Sequence, residues 1–392
     1  MMEDIHRDNA VLKNRGDDFS RLAFTLGPDE YPVAAGDGAF SEVTPETADS
    51  ARPNQGGGED GTRENPQVEI AEDAAQTVAH PLVEEGDSDA EPGAEPRLLR
   101  KPSAIKRLAA RHRQPPIWGW VRRKQVSLFY GPPGAGKSQF VLQAGVAMAA
   151  GKPFAGHTPV RPCKVVFFSP EDEADVISDR IEAAAKVLDA DMALVEENLV
   201  IAYYGESGVL FEPGVDGVRL TTLGSDFFAE VAEFGADAIC LDPMAELHRL
   251  AEADNGAMNG LMARLRTFAR KGNYAVLMTH HTAKPESGDK APTLHSGRGA
   301  SATGAASRHV EILSELTKAE RDRYGITDER LPDFIRREVS KDSYGRKPGV
   351  PMFLKRVEVE VNGAAAPALV PVELVAVPAD SAKAEPTRKK RA

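Results

Sequence analysis

Residues 131–138, GPPGAGKS, have the residue types and the spacing that suit the binding of phosphate groups. They fit the pattern G-x-x-x-x-G-K-[ST], with the apolar run VSLFY directly before them and a helical pattern directly after. Glycines let backbone N–H groups turn towards phosphate oxygens, and the N-terminus of the next helix adds partial positive charge. Lys137 would reach the β- and γ-phosphates and Ser138 would ligate Mg²⁺. The pattern predicts ATP and Mg²⁺ as cofactors, bound by Gly131, Pro132, Pro133, Gly134, Ala135, Gly136, Lys137, Ser138 and Gln139.

Such a site also needs an acidic residue that helps to bind Mg²⁺. The apolar strand pattern AICLD ends in Asp242, which suits this role together with Ser138. Many ATPases carry a glutamate directly after this aspartate, where it polarises the attacking water. Here Pro243 follows, and the nearest carboxylate beyond it is Glu246. The base of a hydrolytic reaction is therefore expected elsewhere in the chain.

The stretch VVFFSPEDEADV places three acids after another buried strand pattern. We expect this strand to lie beside the phosphate-loop strand, so that Glu171 faces the γ-phosphate and orients the attacking water. A purely structural role is the alternative, in which the acids cap the helix that starts near Ala174. That alternative suits Asp172 and Glu173 well, whereas Glu171 is favoured as the catalytic base.

Polar residues also end the strand pattern YAVLMTHH. A histidine there, His280 in the first place and His281 beside it, would sense the γ-phosphate, although a lone histidine is more often structural. The polar loop 282–297 follows, either as an ordinary surface loop or as a mobile segment that contacts DNA.

The run GRGASATGAASRHV sets two arginines among very small residues, which permit close packing against a neighbouring subunit. Arg298 or Arg308 would enter the neighbour's nucleotide site as an arginine finger, a contact worth roughly 10³–10⁵ in rate in other NTPases. A helix with a solvated arginine is the equally weighted alternative.

These residues must be positioned by a sheet, and strand patterns alternate with helical patterns from 126 onwards. This alternation predicts an α/β fold with a mostly parallel sheet and ligands at the carboxyl ends of the strands. After Arg308, the patterns HVEILSEL, FIRREVSKDSYG and PMFLKRVEVEVNG predict antiparallel strands added at the sheet edge. The predicted domain covers 126–361, and a C-terminal tail covers 362–392.

Charge divides the chain of 392 residues into an acidic and a basic part. Residues 1–96 carry 23 acidic and 6 basic residues, a net charge of −17, and their Gly-, Pro- and Glu-rich composition predicts disorder. The remainder has a net charge of +5. Residues 97–125 contain ten Lys or Arg and no acid, which predicts a basic linker or helix, either solvated or in contact with phosphates.

The composition bears on where the protein is located and on whether it spans a membrane. The two cysteines, Cys163 and Cys240, indicate neither a disulfide framework nor a zinc site. We expect no signal peptide, because the N-terminal residues are acidic and lack an apolar segment. No apolar run approaches the ~20 residues that span a bilayer. The expected location is the cytoplasm.

Taken together, the motifs resemble the RepA-type, RecA-fold hexameric ATPases of plasmid and phage replication, which are related to the DnaB-like replicative helicases. The resemblance covers roughly residues 115–350 and rests on the order of GPPGAGKS, SPEDE, LDPMAELH, HHTAK, RGASA…SR and VSKDSYG. It implies a RecA-like phosphate-loop core, a homo-oligomeric ring and binding of single-stranded DNA, with other replication proteins as further partners.

By position, the resemblance assigns Lys137 and Ser138 to the phosphates and Mg²⁺, Glu171 to catalysis and Asp242 to the metal. It makes His280 the sensor. It also favours Arg308 over Arg298 as the arginine finger supplied in trans, and it matches Lys341 to a lysine at the subunit interface. Ser343 occupies the position at which the DnaB-like group has an arginine, so the resemblance assigns the role of arginine finger to Arg308.

The expected function is an ATP-driven motor on single-stranded DNA, most plainly a replicative helicase of a mobile element. The alternative from another class is an ATP-gated DNA-binding regulator or loader that does not unwind DNA. Slow hydrolysis with strong ATP-dependent DNA binding would favour the alternative, whereas an intact Glu171 favours turnover.

Overall fold

A computed structural model describes residues 101–203, 208–215, 217–282 and 300–377 of the chain. The predicted disordered region 1–96, residues 283–297 of the predicted DNA-contacting loop, and Arg298 lie outside the described residues. So do the last residues, from 378 onwards. None of the described helices is both long and apolar enough to cross a membrane.

Helices mostly alternate with strands along the described chain, but two helices follow one another within residues 174–198, and strands follow one another within 199–220 and 334–372. The helices are α1 (Pro102–His112), α2 (Lys137–Ala150), α3 (Ala174–Leu188), α4 (Met192–Asn198), α5 (Thr222–Phe234), α6 (Asn255–Lys271), α7 (Ala300–Ala306) and α8 (Lys318–Tyr324). The strands are β1 (Val126–Gly131), β2 (Val165–Phe168), β3 (Leu199–Ala202), β4 (Phe211–Gly214), β5 (Gly217–Leu220), β6 (Ala238–Leu241), β7 (Ala275–His281), β8 (His309–Ser314), β9 (Phe334–Asp342), β10 (Met352–Val361) and β11 (Ala364–Val372).

Nine of these strands form one sheet in the order β11-β10-β9-β8-β1-β7-β6-β2-β3, and β4 pairs with β5 in a separate hairpin. The strands from β8 to β3 in this order run parallel, whereas β9, β10 and β11 are antiparallel additions. The predicted fold class, an α/β domain with a mostly parallel sheet and antiparallel additions, is therefore confirmed.

Two details of the strand arrangement differ from the expectation. The strand β8 is not an antiparallel edge addition, because it pairs in parallel with β1 inside the sheet. The sheet also continues through β11, past residue 361, where a tail was expected to begin. Both differences arise because a strand's partner depends on the path of the connection, which local periodicity does not encode.

The position of β2 also corrects the expectation. It lies between β6 and β3, so that β6 and β7 separate it from the phosphate-loop strand β1. The crossover through α2 carries the chain past two places in the sheet that β7 and β6 fill later. Glu171 therefore approaches the phosphate loop from the side of Asp242, which follows β6.

Alternating side chains of the parallel strands pack into two cores, one on each face of the sheet. On one face, Phe129 of β1 and Leu277 of β7 pack with the residues of α2. On the other face, Leu128 and Met278 pack with the residues of α5 and α6. Parallel sheets covered on both faces need such apolar strands. This alternation decides which residues at the strand ends face α2 and the phosphate loop.

A buried ion pair joins β8 to β9 below the site. The Arg337 guanidinium donates to both carboxylate oxygens of Glu311, from Nη2 to Oε1 at 2.6 Å and from Nε to Oε2. His309 Nε2 lies 3.0 Å from the same Oε1. Burial raises the pKa of Glu311, but the Arg337 charge and the hydrogen bonds outweigh it and lower that pKa to about 2. The pair joins β8 to the first antiparallel addition next to a register shift between Val310 and Glu311.

Candidate nucleotide-binding site

The phosphate loop connects the end of β1 to the first residue of α2. Two of its glycines are in the left-handed region, Gly134 with φ +78° and Gly136 with φ +84°. The φ of residue 136 disfavours any side chain, and a Cβ atom there would also lie 2.5 Å from Ile335 Cδ1, so that this side chain would have to shift. The loop thus sits at the N-terminus of a 14-residue helix, where anions are favoured.

Lys137 is buried and turned back over the loop. Its Nζ donates to the carbonyl oxygens of Gly131 at 2.9 Å and Pro132 at 3.0 Å, and it lies 3.2 Å from His281 Nδ1. Burial lowers the pKa of Lys137 to about 8, although the charges of Asp242 and Glu171 oppose this shift. The lysine charge is thus held near both carboxylates on which the predicted chemistry depends.

Asp242 is buried directly after β6, within reach of two hydroxyl groups. The Thr279 hydroxyl donates to its Oδ1, and the Ser138 side chain is hydrogen-bonded to the same carboxyl group. Desolvation raises the pKa of Asp242, while these two hydrogen bonds act in the opposite direction. A carboxylate and a hydroxyl are hard oxygen ligands, so Ser138 and Asp242 fit the requirements of Mg²⁺.

Sequence reasoning missed Thr279 as a member of this group. It occupies the face of β7 that also carries Leu277, which packs against α2. A signal was present, since Thr279 is the first polar residue of an otherwise apolar strand and is one alternation before His281.

The three acids after β2 have three different surroundings. Asp172 accepts a hydrogen bond from Arg180 Nη1 at 2.6 Å. Glu173 occupies the N-cap position of α3 but makes no side-chain capping bond, and its Oε2 accepts from the Tyr203 hydroxyl at 3.3 Å. The expected capping role therefore applies to Glu173 by position alone, whereas Asp172, which precedes α3, forms an ion pair with a residue of that helix.

Glu171 is exposed and lies in a negative environment. Partial desolvation raises its pKa, as do the carboxylates of Asp242 and Glu246, and the nearby charge of Lys137 opposes them. Glu171 is therefore close enough to Lys137 and Asp242 for their charges to affect its pKa, although β2 is not adjacent to β1 in the sheet. A carboxylate with a raised pKa is a better proton acceptor near neutral pH than an ordinary one.

The two histidines at the end of β7 point to opposite faces of the sheet. His281 continues the face of Leu277 and reaches Lys137, whereas the buried His280 lies near Tyr130, with ring centroids 5.4 Å apart. Burial and the neighbouring charges of Lys137 and His280 lower the pKa of His281 to about 4, so that its ring is neutral at pH 7. The prediction favoured His280, but the phosphate-loop contact belongs to His281.

Arg308 and Lys341 lie at the other end of the sheet from the phosphate loop. The Arg308 backbone N–H donates to the Val126 carbonyl at 3.4 Å, at the amino end of β1. The phosphate loop follows the carboxyl end of the same six-residue strand, which is roughly 17 Å away at ~3.3 Å per residue. Lys341 Nζ donates to Gly304 O at 3.0 Å and Ala305 O at 2.8 Å. Neither cation is therefore near the phosphate loop of its own chain.

Three buried polar side chains surround the site without a hydrogen-bond partner in the described part of the chain. They are Gln139, which follows the loop, Ser169, which follows β2, and Thr282, which follows β7. Buried polar groups are nearly always hydrogen-bonded. A ligand rich in polar oxygens at the carboxyl ends of these strands fits such a set, and Ser169 and Thr282 were not singled out from the sequence.

The fold and this site define a phosphate-loop nucleotide-binding domain. The family model described as "AAA domain" matches residues 94–287, a range that includes the phosphate loop, Glu171, Asp242 and His281. A solved structure titled "Crystal structure of the RadB recombinase" is also similar, with a TM-score of 0.37 and 12% sequence identity. That similarity covers 60% of this chain and 88% of the other. At this level it transfers neither an assembly nor a substrate.

Proposed function

We propose that this protein is an ATP-hydrolysing, oligomeric motor that acts on single-stranded DNA, as a replicative helicase of a plasmid, phage or other mobile element does. The observation that carries the ATPase part is the convergence of Lys137, Ser138, Asp242 and Glu171 around one loop, from three separate strand ends. In this proposal Lys137 binds the phosphates, and Ser138 with Asp242 holds Mg²⁺.

Glu171 acts as the base in the proposed reaction. It accepts a proton, or a hydrogen bond, from the water that attacks the γ-phosphate. The neutral His281 beside Lys137 is the proposed sensor, since a change in the lysine contacts on phosphate binding reaches its Nδ1 directly. His281 also begins the connection towards the loop 282–297, which we propose as a DNA contact.

The oligomeric part of the proposal is supported by Arg308. It is exposed at the end of the sheet remote from its own phosphate loop. Burial lowers the pKa of Arg266 and of Lys341, and the nearby charge of Arg308 lowers both further. These basic residues lie far from the nucleotide site of their own chain, so they are placed to contact a nucleotide phosphate bound by a neighbouring subunit. We propose that Arg308 serves there as the arginine finger, with Lys341 at the same interface.

One observation favours the second candidate, an ATP-gated DNA-binding regulator or loader. The residue after Asp242 is Pro243, and the proposed base is an exposed glutamate that follows a different strand. Slow turnover fits this arrangement. In that case ATP would act as a switch for DNA binding without strand displacement.

The test is the ATPase rate with and without a single-stranded oligonucleotide, with the mass measured by light scattering in the same buffer. We expect DNA to stimulate turnover and the wild-type protein to be a multimer, with K137A inactive. An unchanged rate together with a monomer at micromolar concentration would contradict the motor. ATP-dependent DNA binding with slow turnover and no strand displacement would establish the second candidate instead.

A further inference from the structure

The antiparallel strand β10 brings an arginine to the outer side of the phosphate loop. Arg356 Nη2 donates to the Gly134 carbonyl at 2.6 Å, and its Nε donates to the Pro332 carbonyl at 3.0 Å. Arg356 lies 222 residues from Gly134 in sequence and outside the range that matches the AAA domain. One half-buried guanidinium thus joins the added strands to the loop.

The same guanidinium also borders the second left-handed glycine. A Cβ atom at Gly136 would lie 3.1 Å from Arg356 Nη1 and 2.5 Å from Ile335 Cδ1. Arg356 and Ile335 therefore form a wall behind the loop. Burial lowers the pKa of Arg356, and the charge of Glu315 opposes that shift. A charged donor in such a place makes a stronger hydrogen bond to a carbonyl than a neutral donor does.

The contact fixes the orientation of one peptide group of the loop. In a planar trans peptide, the carbonyl of Gly134 and the N–H of Ala135 point in opposite directions. With the carbonyl held outward by Arg356, this N–H points across the loop, where it donates to the Pro132 carbonyl at 3.2 Å. The same carbonyl accepts from Lys137 Nζ. Arg356 therefore acts on the groups that line the inside of the loop.

We propose that Arg356 is a positioning residue for nucleotide phosphates. It holds the Gly134–Ala135 peptide so that the loop is preorganised for a phosphate group, and it acts through the loop without reaching the reacting water. This inference rests on the proposed function, because it requires the loop to bind a nucleotide. It adds to that function a dependence of the loop on the antiparallel strands.

The variant R356M tests the inference, since methionine retains the apolar stem and removes the donors. We expect R356M to bind ATP and ADP about tenfold more weakly, and both to a similar extent, because both carry phosphates on the loop. The kcat at saturating ATP should stay within about twofold of wild type. R356K has one donor group in place of the planar guanidinium, so its affinity for both nucleotides should lie between those of R356M and wild type.

K355M is the matched control, because Lys355 is the adjacent residue of β10 and its side chain leaves the strand on the opposite side. It should bind both nucleotides as wild type does. Free guanidinium at millimolar concentration should partly restore binding to R356A, whereas ammonium at equal ionic strength should not. This rescue separates a positioning guanidinium from a general loss of structure.

The outcomes distinguish this inference from the proposed function. If wild type binds ATP and R356M binds it within twofold of wild type, the positioning role of Arg356 is wrong, but the proposed ATPase function is not contradicted. The same conclusion follows if K355M weakens binding as much as R356M, or if R356M loses kcat and retains its affinity. If wild type binds neither ATP nor ADP, both the proposed function and this inference fail.

Discussion

Replacing Thr279 with valine removes a hydroxyl that donates to the buried Asp242 while the shape of the side chain is retained. In the described part of the chain, the Thr279 hydroxyl and the Ser138 side chain both form hydrogen bonds with this carboxyl group. A hydrogen bond to a charged group contributes about 1.5–3 kcal/mol to stability. Because valine fills the same space, we expect T279V to lower the free energy of unfolding by about 1.5–3 kcal/mol at pH values where Asp242 is ionised.

The cost of T279V should depend on pH in a defined direction. Desolvation holds the pKa of Asp242 above its ordinary 3.8. The free energy of unfolding therefore falls as the pH rises through the folded-state pKa of this group. The Thr279 hydrogen bond reduces that loss because it favours the ionised carboxylate. T279V should therefore cost most at pH values where Asp242 is ionised and least where it is protonated.

Urea unfolding at several pH values measures this effect, with T279S as the control that keeps the hydroxyl. T279V should also require more Mg²⁺ for half-maximal ATP binding, because the carboxylate of the proposed metal site becomes harder to ionise. Equal stabilities of T279V and wild type at every pH measured would refute the reasoning. A loss in T279S as large as in T279V would refute it as well, since packing would then be the cause.

Three further predictions concern charges elsewhere in the structure. Lys137 has a pKa of about 8, and nucleotide phosphates should raise it, so ATP binding at pH 8.5 should take up protons in calorimetry and not in K137M. E311Q should lower the free energy of unfolding by about 3–5 kcal/mol, and E311M/R337M should recover much of it. The stability that Glu311 contributes should be present above its ordinary pKa of 4.5 and be lost as the pH falls towards 2. Mixed R308A and K137A subunits should regain ATPase activity that neither has alone, and no recovery would argue against Arg308 acting in trans.

The elements of the fold follow from local patterns, but their order in the sheet does not. The buried run of β1, the glycines of the loop and the helix α2 each have a short-range signature in GPPGAGKS and its flanks. The places of β2 and β8 depend on crossover connections, and both strands were expected in different surroundings. Apolar strands buried on both faces look alike in sequence, so their composition cannot identify their neighbours.

The candidate site shows a similar division. Lys137, Ser138 and Asp242 were predicted from motif spacing, and the structure brings them together. The choice between His280 and His281 requires knowledge of which face of β7 meets α2, which the sequence alone does not contain. Arg356 has no local signal at all, because its contact with the loop depends on the pairing of β10 with β9 and its place in the sheet.

Single-turnover hydrolysis of ATP by E171Q is the most direct test of the central claim, that this loop hydrolyses ATP with Glu171 as its base. E171Q should bind ATP with wild-type affinity and hydrolyse it ~100-fold more slowly or worse, as expected when a general base is lost. The control E173Q, which changes an exposed acid two residues away, should hydrolyse ATP normally. Wild-type hydrolysis by E171Q would contradict the account, and a simultaneous loss in E246Q would assign the base to Glu246 instead.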